Sequence, residues 1–348
     1  MTKNWMRLLA ATLLFGVAST ASAASAGDPT KPLAVCATVP ELGSIVREVG
    51  GDQVTVEVFT KPTEDPHFTP ARPSLIKALN GCDMLAEVGM ELEVGWLPLL
   101  VKNARNDTVL AGGPGFFDAS TAITPLDVPS GTIDRSMGDV HPFGNPHYLL
   151  DPVNGMLVAV AVHDKLAQLR PSGQKYFDAR LASFRKRIAA ALVGDTLAAK
   201  YDVEKLALLA EHGKLVEFLR GQGDEKALGG WLGLVAADYG AKVIDDHPMW
   251  PYFARRFGLV VGGHLEPKPG IPPTTKHLAE IVGLMKSDGI RVVLASAYYD
   301  PRHAAFVAEQ SGGRVLAMAN QAGARPGTDE YVGFVDYNVH QVADGLKP

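Results

Sequence analysis

The 348 residues are 47% hydrophobic and 20% charged, which excludes disordered and collagen-like chains and, at ~100–200 residues per domain, leaves room for two domains. The formal charge is −5, from 33 basic and 38 acidic residues without a basic run, so the electrostatic footprint of a nucleic-acid binder is missing.

Lys3 and Arg7 precede an apolar stretch from Leu8 to Val17, followed by Ala21-Ser22-Ala23 and Ala24-Ser25-Ala26. This is the pattern of an export signal, too short to span a bilayer. It predicts a leader over 1–26, cleaved after Ala23 or Ala26, and a soluble periplasmic product. No Cys follows the cleavage region, so a lipid anchor is not expected. Cys36 lies in one strand-like run and Cys82 just before another; in a compartment that permits disulfides the two either bridge or remain buried thiols, and both readings stand.

From 33 to 112 short apolar runs alternate with helical patterns: strands over 33–38, 53–60, 84–88 and 108–111, helices over 40–49, 72–80 and 92–104. That rhythm predicts a parallel sheet covered by helices, with ligands at the carboxyl ends of its strands. Residues 113–146, rich in Gly, Pro, Asp, Ser and Thr, read as a long loop. A helix over 152–169 leads into a connector helix over 172–195. Strands over 214–219, 241–245, 259–263, 291–296 and 314–318, alternating with helices up to 331–345, predict a second α/β lobe. The expected architecture is thus an α/β protein with an N-terminal lobe over 27–171, a connector over 172–195 and a C-terminal lobe over 196–348, with a ligand site in the cleft between lobes.

Three of the ten histidines sit at strand-to-helix junctions: His67 in Asp65-Pro66-His67-Phe68, His147 in Asn145-Pro146-His147-Tyr148, and His247 after Val243-Ile244-Asp245-Asp246. Neutral imidazoles from three separated segments make a site of the kind zinc favours, with a carboxylate or water as fourth ligand. His163, His212, His277, His303 and His340 fall in or beside helices and read as solvated or capping residues.

The segments Leu33 to Thr38, Gly50-Gly51-Asp52, Asp65-Pro66-His67, Pro73-Ser74, Asn80-Gly81-Cys82-Asp83, Asn145 to Pro152, His247 to Ala254 and Pro267 to Pro273, in that order, resemble the zinc and manganese solute-binding proteins of bacterial ABC importers. The resemblance implies two lobes joined by a rigid helix, with one transition-metal ion in the cleft as transported cargo. It implies His67, His147 and His247 as the first three ligands, and three imidazoles are similar to the zinc branch. Partners implied are an inner-membrane permease and a periplasmic metallochaperone, for a monomeric carrier of Zn(II).

The sequence departs from that family in three places. Where an Asp ligand is often found, the chain reads Ala319-Asn320-Gln321; Asp300, in Tyr299-Asp300-Pro301, is then either the fourth ligand or a helix N-cap, ahead of Glu266, Asp246 or water. The loop before the second ligand has no His over 113–140, which leaves His141 as a loop-borne collector of metal. The stretch 194–230 is longer than expected.

A zinc-dependent hydrolase with an open coordination position, an adhesin folded around a structural ion and a manganese-binding carrier are the alternatives. No His-Glu-x-x-His, Gly-x-Ser-x-Gly or Walker-type loop supports catalysis, and the expectation is a binding protein without enzymatic activity.

Overall fold

The computed structural model describes residues 31–131, 140–268 and 270–347; the leader expected over 1–26 lies outside them. Residues Pro32–Pro348 form one compact unit. No helix among the described residues is long and apolar enough to cross a membrane.

The first sheet is built from β1 (Leu33–Ala37), β2 (Val54–Val58), β3 (Met84–Glu87) and β4 (Phe116–Asp118), in the order β2-β1-β3-β4 with every pair parallel. The central strand β1 is apolar throughout, as a parallel strand covered on both faces must be. Its neighbours are α1 (Pro40–Gly50), α2 (Pro73–Gly81) and α3 (Leu97–Ala104). Pro40 opens α1, and Leu42, Ile45, Val46 and Val49 form its buried stripe. Cys36 and Cys82 are disulfide-bonded, with Cα atoms 6.1 Å apart, joining β1 to the turn before β3.

A helical stretch follows: α4 (Pro152–Leu169), α5 (Gln174–Val193), α6 (Asp195–Lys200), α7 (Val203–Glu211), α8 (Leu215–Gln222) and α9 (Gly230–Val235). The second sheet takes β5 (Lys242–Asp245), β6 (Val260–His264), β7 (Val292–Ala295) and β8 (Arg314–Ala317) in the order β6-β5-β7-β8, again all parallel. Around it lie α10 (Pro251–Phe257), α11 (Thr275–Asp288), α12 (Pro301–Ser311) and α13 (Tyr331–Leu346). The two-lobe α/β architecture is the expected one.

Three local expectations are corrected. The strand expected over 108–111 is a 3-10 turn at Asp107–Val109, held by Asn106, whose side chain accepts from the Thr108 N–H and donates to the Leu79 and Cys82 carbonyls; β4 forms later, where Phe116 and Phe117 pair with β3. The strand expected over 214–219 is helix α8: Leu215 and Leu219, one turn apart, are buried, and Gly223 closes it in the left-handed conformation. The helix expected from 92 begins only at Leu97, after a turn in which Met90 and Glu91 take positive φ angles of 51° and 65°. The long segment 194–230 is accounted for by α6 to α8.

One hydrophobic core runs beneath both sheets, joining Leu42 and Ile45 of the first lobe, Phe184 and Ile188 of α5, and Trp250, Phe253 and Phe334 of the second. Each sheet also has its own outer cluster, around Phe59, Leu79 and Trp96 in the first lobe and Ile244, Ile281 and Val293 in the second. Polar links cross between lobes. The Arg256 guanidinium donates two hydrogen bonds to Asp151. The Tyr331 hydroxyl reaches the Leu149 carbonyl, its ring lying over Gly155, where a Cβ would come within 2.2 Å of the phenol oxygen.

Candidate metal site

His67, His147 and His247 converge. Their ring centroids are 5.4 to 5.8 Å apart, each pair edge-on, and one ligand nitrogen from each lies within 4.8 Å of the other two. They come from beyond the carboxyl ends of β2, β4 and β5, where ligands of parallel sheets are held.

His67 sits in a 3-10 turn, Pro66–Phe68, capped by Asp65. Trp96 donates its indole N–H to the Pro66 carbonyl at 2.8 Å, and the Thr60 and Thr69 hydroxyls meet at 2.7 Å below. The turn is therefore fixed before any ligand arrives. Asp65 Oδ1 lies 2.7 Å from His67 Nδ1. Contact with the His67 ring and N–H holds the Asp65 carboxyl below its ordinary range against the opposing effect of burial, so Asp65 accepts, Nδ1 carries the proton and Nε2 offers its lone pair. His247 is oriented in the same way: Glu266 Oε2 stands 2.7 Å from its Nδ1, and the Tyr299 ring stacks on the imidazole at 5.5 Å.

His147 follows Asn145, whose side chain accepts from the His147 N–H and donates to the Pro248 carbonyl of the other lobe. The His147 Nε2 atom is buried without a hydrogen-bond partner among the described residues. Burial, reinforced by His67, His247 and His141, keeps this imidazole neutral far below its ordinary range. A buried nitrogen left without a partner is costly unless something else takes its lone pair.

Asp300 is not part of the group formed by the three histidines. Its side chain caps α12 by accepting from the Arg302 N–H and forms an ion pair with the Arg302 guanidinium, which holds the carboxyl below its ordinary range. The Asp-Pro step that permitted the ligand reading is here a helix start. Glu266 is committed to His247, and Asp246 accepts from the Ser296 N–H and hydroxyl. Asn320 uses its oxygen on the Ala297 N–H.

His141 lies closer than its reading as an outlying collector placed it. Its Nε2 is 3.1 Å from His67 Nε2 and the two ring centroids are 5.2 Å apart. Burial and the neighbouring imidazoles push it down to about 3. A cavity of about 400 Å³ beside the cluster is lined by Asp127, His141, His147, Asp245, His247 and His264. Within it His264 pairs with Asp245 at 2.5 Å. The carboxylates that orient His67 and His247 were not identified in the sequence, although Asp65 stands only two residues before its partner.

Two parallel sheets facing a cleft with a convergent imidazole cluster define the solute-binding component of a metal importer. The family described as "Zinc-uptake complex component A periplasmic" matches residues 35–213 and 234–345, and the chain belongs to it. The chain is 23% identical over 336 residues to the "High-affinity zinc uptake system protein ZnuA" of Yersinia pestis, covering 90% of this chain and 91% of that one. It is 20% identical over 341 residues to the "Manganese ABC transporter substrate-binding lipoprotein PsaA" of Streptococcus pneumoniae, covering 96% of each. A solved structure described as "Crystal structure of ZnuA" superposes with a TM-score of 0.66 at 20% identity, over 91% of this chain and all of the other. Members of the family are periplasmic substrate-binding proteins of ABC importers, not enzymes, and take zinc or manganese.

Proposed function

We propose that this protein captures Zn(II) through His67, His147 and His247 and delivers it to an ABC-type permease in the inner membrane, with the connector over 172–195 joining a lobe over 27–171 to one over 196–348. The observation that carries the reading is the unpartnered, buried Nε2 of His147 set among two imidazoles whose Nδ1 atoms are held by carboxylates. Imidazole nitrogen suits zinc, whereas manganese favours carboxylate and water oxygen. The nearby carboxylates Asp65 and Glu266 are turned to the outer ring nitrogens, which leaves the inner surface of the site to nitrogen.

Each lobe contributes an imidazole that is already aimed, so binding requires little rearrangement, and the ion links His67 and His147 on one side with His247 on the other. A periplasmic setting is supported by the disulfide, which persists in an oxidising compartment, and by the leader pattern. Competition titration of the purified protein tests the reading: one zinc per chain, bound more tightly than manganese and lost in the His67→Ala/His147→Ala/His247→Ala variant, is expected. Tighter manganese binding, or zinc binding that survives the triple variant, overturns it.

A further inference from the structure

The three-histidine cluster leaves one position of a tetrahedral ion unfilled, and four carboxylates among the described residues are held by other partners, while Asp245, paired through one oxygen with His264, lines the cavity beside the cluster. Asp300 caps α12, Glu266 and Asp65 each hold a ring nitrogen, and Asp246 is engaged by Ser296. Water would suffice for an open site. The geometry at His141 supplies a protein atom instead.

Two imidazole nitrogens bound to one tetrahedral zinc, at ~2.0–2.1 Å each, stand about 3.3 Å apart. His141 Nε2 and His67 Nε2 are 3.1 Å apart, so the pair already has the spacing that a shared ion imposes. His67 Nδ1 is hydrogen-bonded to Asp65, so the His67 Nε2 lone pair accepts from His141 while no ion is present. The Met90 carbonyl lies beside the His141 ring on a second side. That carbonyl belongs to the turn in which two consecutive non-glycine residues, Met90 and Glu91, hold left-handed backbone angles. Such a conformation costs energy and persists only where its surroundings enforce it.

We propose that His141 is the fourth ligand, so that the long loop after β4 contributes both His141 and His147 and closes an all-imidazole sphere over the cargo. The inference rests on the zinc-binding reading above and deepens it. When the ion enters, the single proton of the neutral His141 ring is given up at Nε2 and taken up at the other ring nitrogen, on the side of the Met90 carbonyl, and the lone pair freed at Nε2 turns from His67 to the metal. Four neutral nitrogens without a carboxylate also widen the gap between zinc and manganese beyond what three provide.

X-ray absorption at the zinc edge, on the full mature chain loaded with one equivalent of zinc, counts the imidazoles directly. Four in the native protein are expected, falling to three plus an oxygen in His141→Ala and His141→Gln, with affinity reduced about 10- to 100-fold and the stoichiometry still one. His141→Ala should also narrow the zinc-over-manganese preference. Three imidazoles and an oxygen in the native protein, unchanged in both variants, would overturn the assignment of His141 while leaving the three-histidine reading intact. A native protein that binds no zinc would sink both.

Discussion

The guanidinium of Arg256 donates to both carboxylate oxygens of Asp151, at 2.8 and 2.9 Å, where the two side chains are 3% and 0% exposed. Asp151 stands at the head of α4 and Arg256 near the end of α10, so the pair ties the two lobes just behind the metal cleft. Glu211 adds a second carboxylate to Arg256 at 2.7 Å. Removing one member of a buried pair strands the other charge. Arg256→Met is expected to lower unfolding stability by about 3–5 kcal/mol, and Arg256→Met/Asp151→Asn to recover part of that loss, both read from urea denaturation. A cost near zero for the single variant would show that the pair does not hold the lobes.

Asp300 separates capping from coordination. Asp300→Ala removes the N-cap of α12 and should cost about 1 kcal/mol, whereas Asp300→Asn, itself a good cap, should cost little. Zinc affinity is expected to stay the same in both. A large affinity loss in Asp300→Asn with unchanged stability would return this residue to the metal.

The histidines set the acid limit of the empty protein. Burial keeps His147 neutral well below the ordinary range and holds His141 at about 3, while imidazoles in the unfolded chain take up protons below ~6.5. The unfolded state then binds more protons, so the contribution of these two groups is complete above pH 6.5 and is lost as pH falls from there toward about 3. Each should give a slope of up to ~1.4 kcal/mol per pH unit. Denaturation of the metal-free protein at pH 7 and 5 measures it, with a flatter profile in His141→Ala/His147→Ala. For the same reason at most two of the four imidazoles compete with zinc by protonation near pH 5, and the logarithm of apparent affinity should change by no more than about two per pH unit. A slope near four would contradict the neutral state of the other two.

Glu87 behaves in the opposite sense. Burial, with Glu93 and Asp118 close by, pushes its carboxyl up to about 8, so the folded protein keeps a proton that the unfolded chain loses above ~4.5. Its contribution is complete below pH 4.5 and is lost as pH rises through about 8. Glu87→Gln should therefore stabilise the protein by about 1–3 kcal/mol at pH 8 and have little effect near pH 4.5. Equal effects at the two values would refute the shift.

The Cys36–Cys82 bridge closes a segment of 46 residues. Chain-entropy reasoning gives about 4 kcal/mol for a loop of that length. Cys36→Ser/Cys82→Ser is expected to lose about 2–4 kcal/mol in urea denaturation, with zinc still bound at neutral pH because the cysteines lie away from the imidazoles. Unaltered stability would show that the bridge adds nothing to the first lobe.

Much of this arrangement was legible in the sequence because apolar runs and junctions are local signals. The alternation of strands and helices, and the placement of His67, His147 and His247 at strand ends, could be read from neighbouring residues alone. The misread segments are those in which tertiary contacts override a local pattern. Leu215 to Leu219 is apolar enough for a strand, but four-residue spacing against the core makes it a turn of helix. Glu266 orients His247 from 19 residues away, a relation that only the pairing of β5 with β6 creates. His141 is a similar case: six residues before His147 it looks peripheral, and the course of the loop folds it back against His67. Asp300, in contrast, carried both meanings in the same dipeptide, and the neighbouring Arg302 pairs with its carboxylate.

The single core that runs beneath both sheets has a consequence for communication. Halves that share Phe184, Trp250 and Tyr331 in one core would have to expose buried apolar surface to swing apart like a trap. On the zinc-carrier reading, the part of the site left to respond to cargo is the rim where His141 meets His67, and a permease that tells laden from empty carriers would inspect that rim at close range instead of the silhouette of the whole molecule.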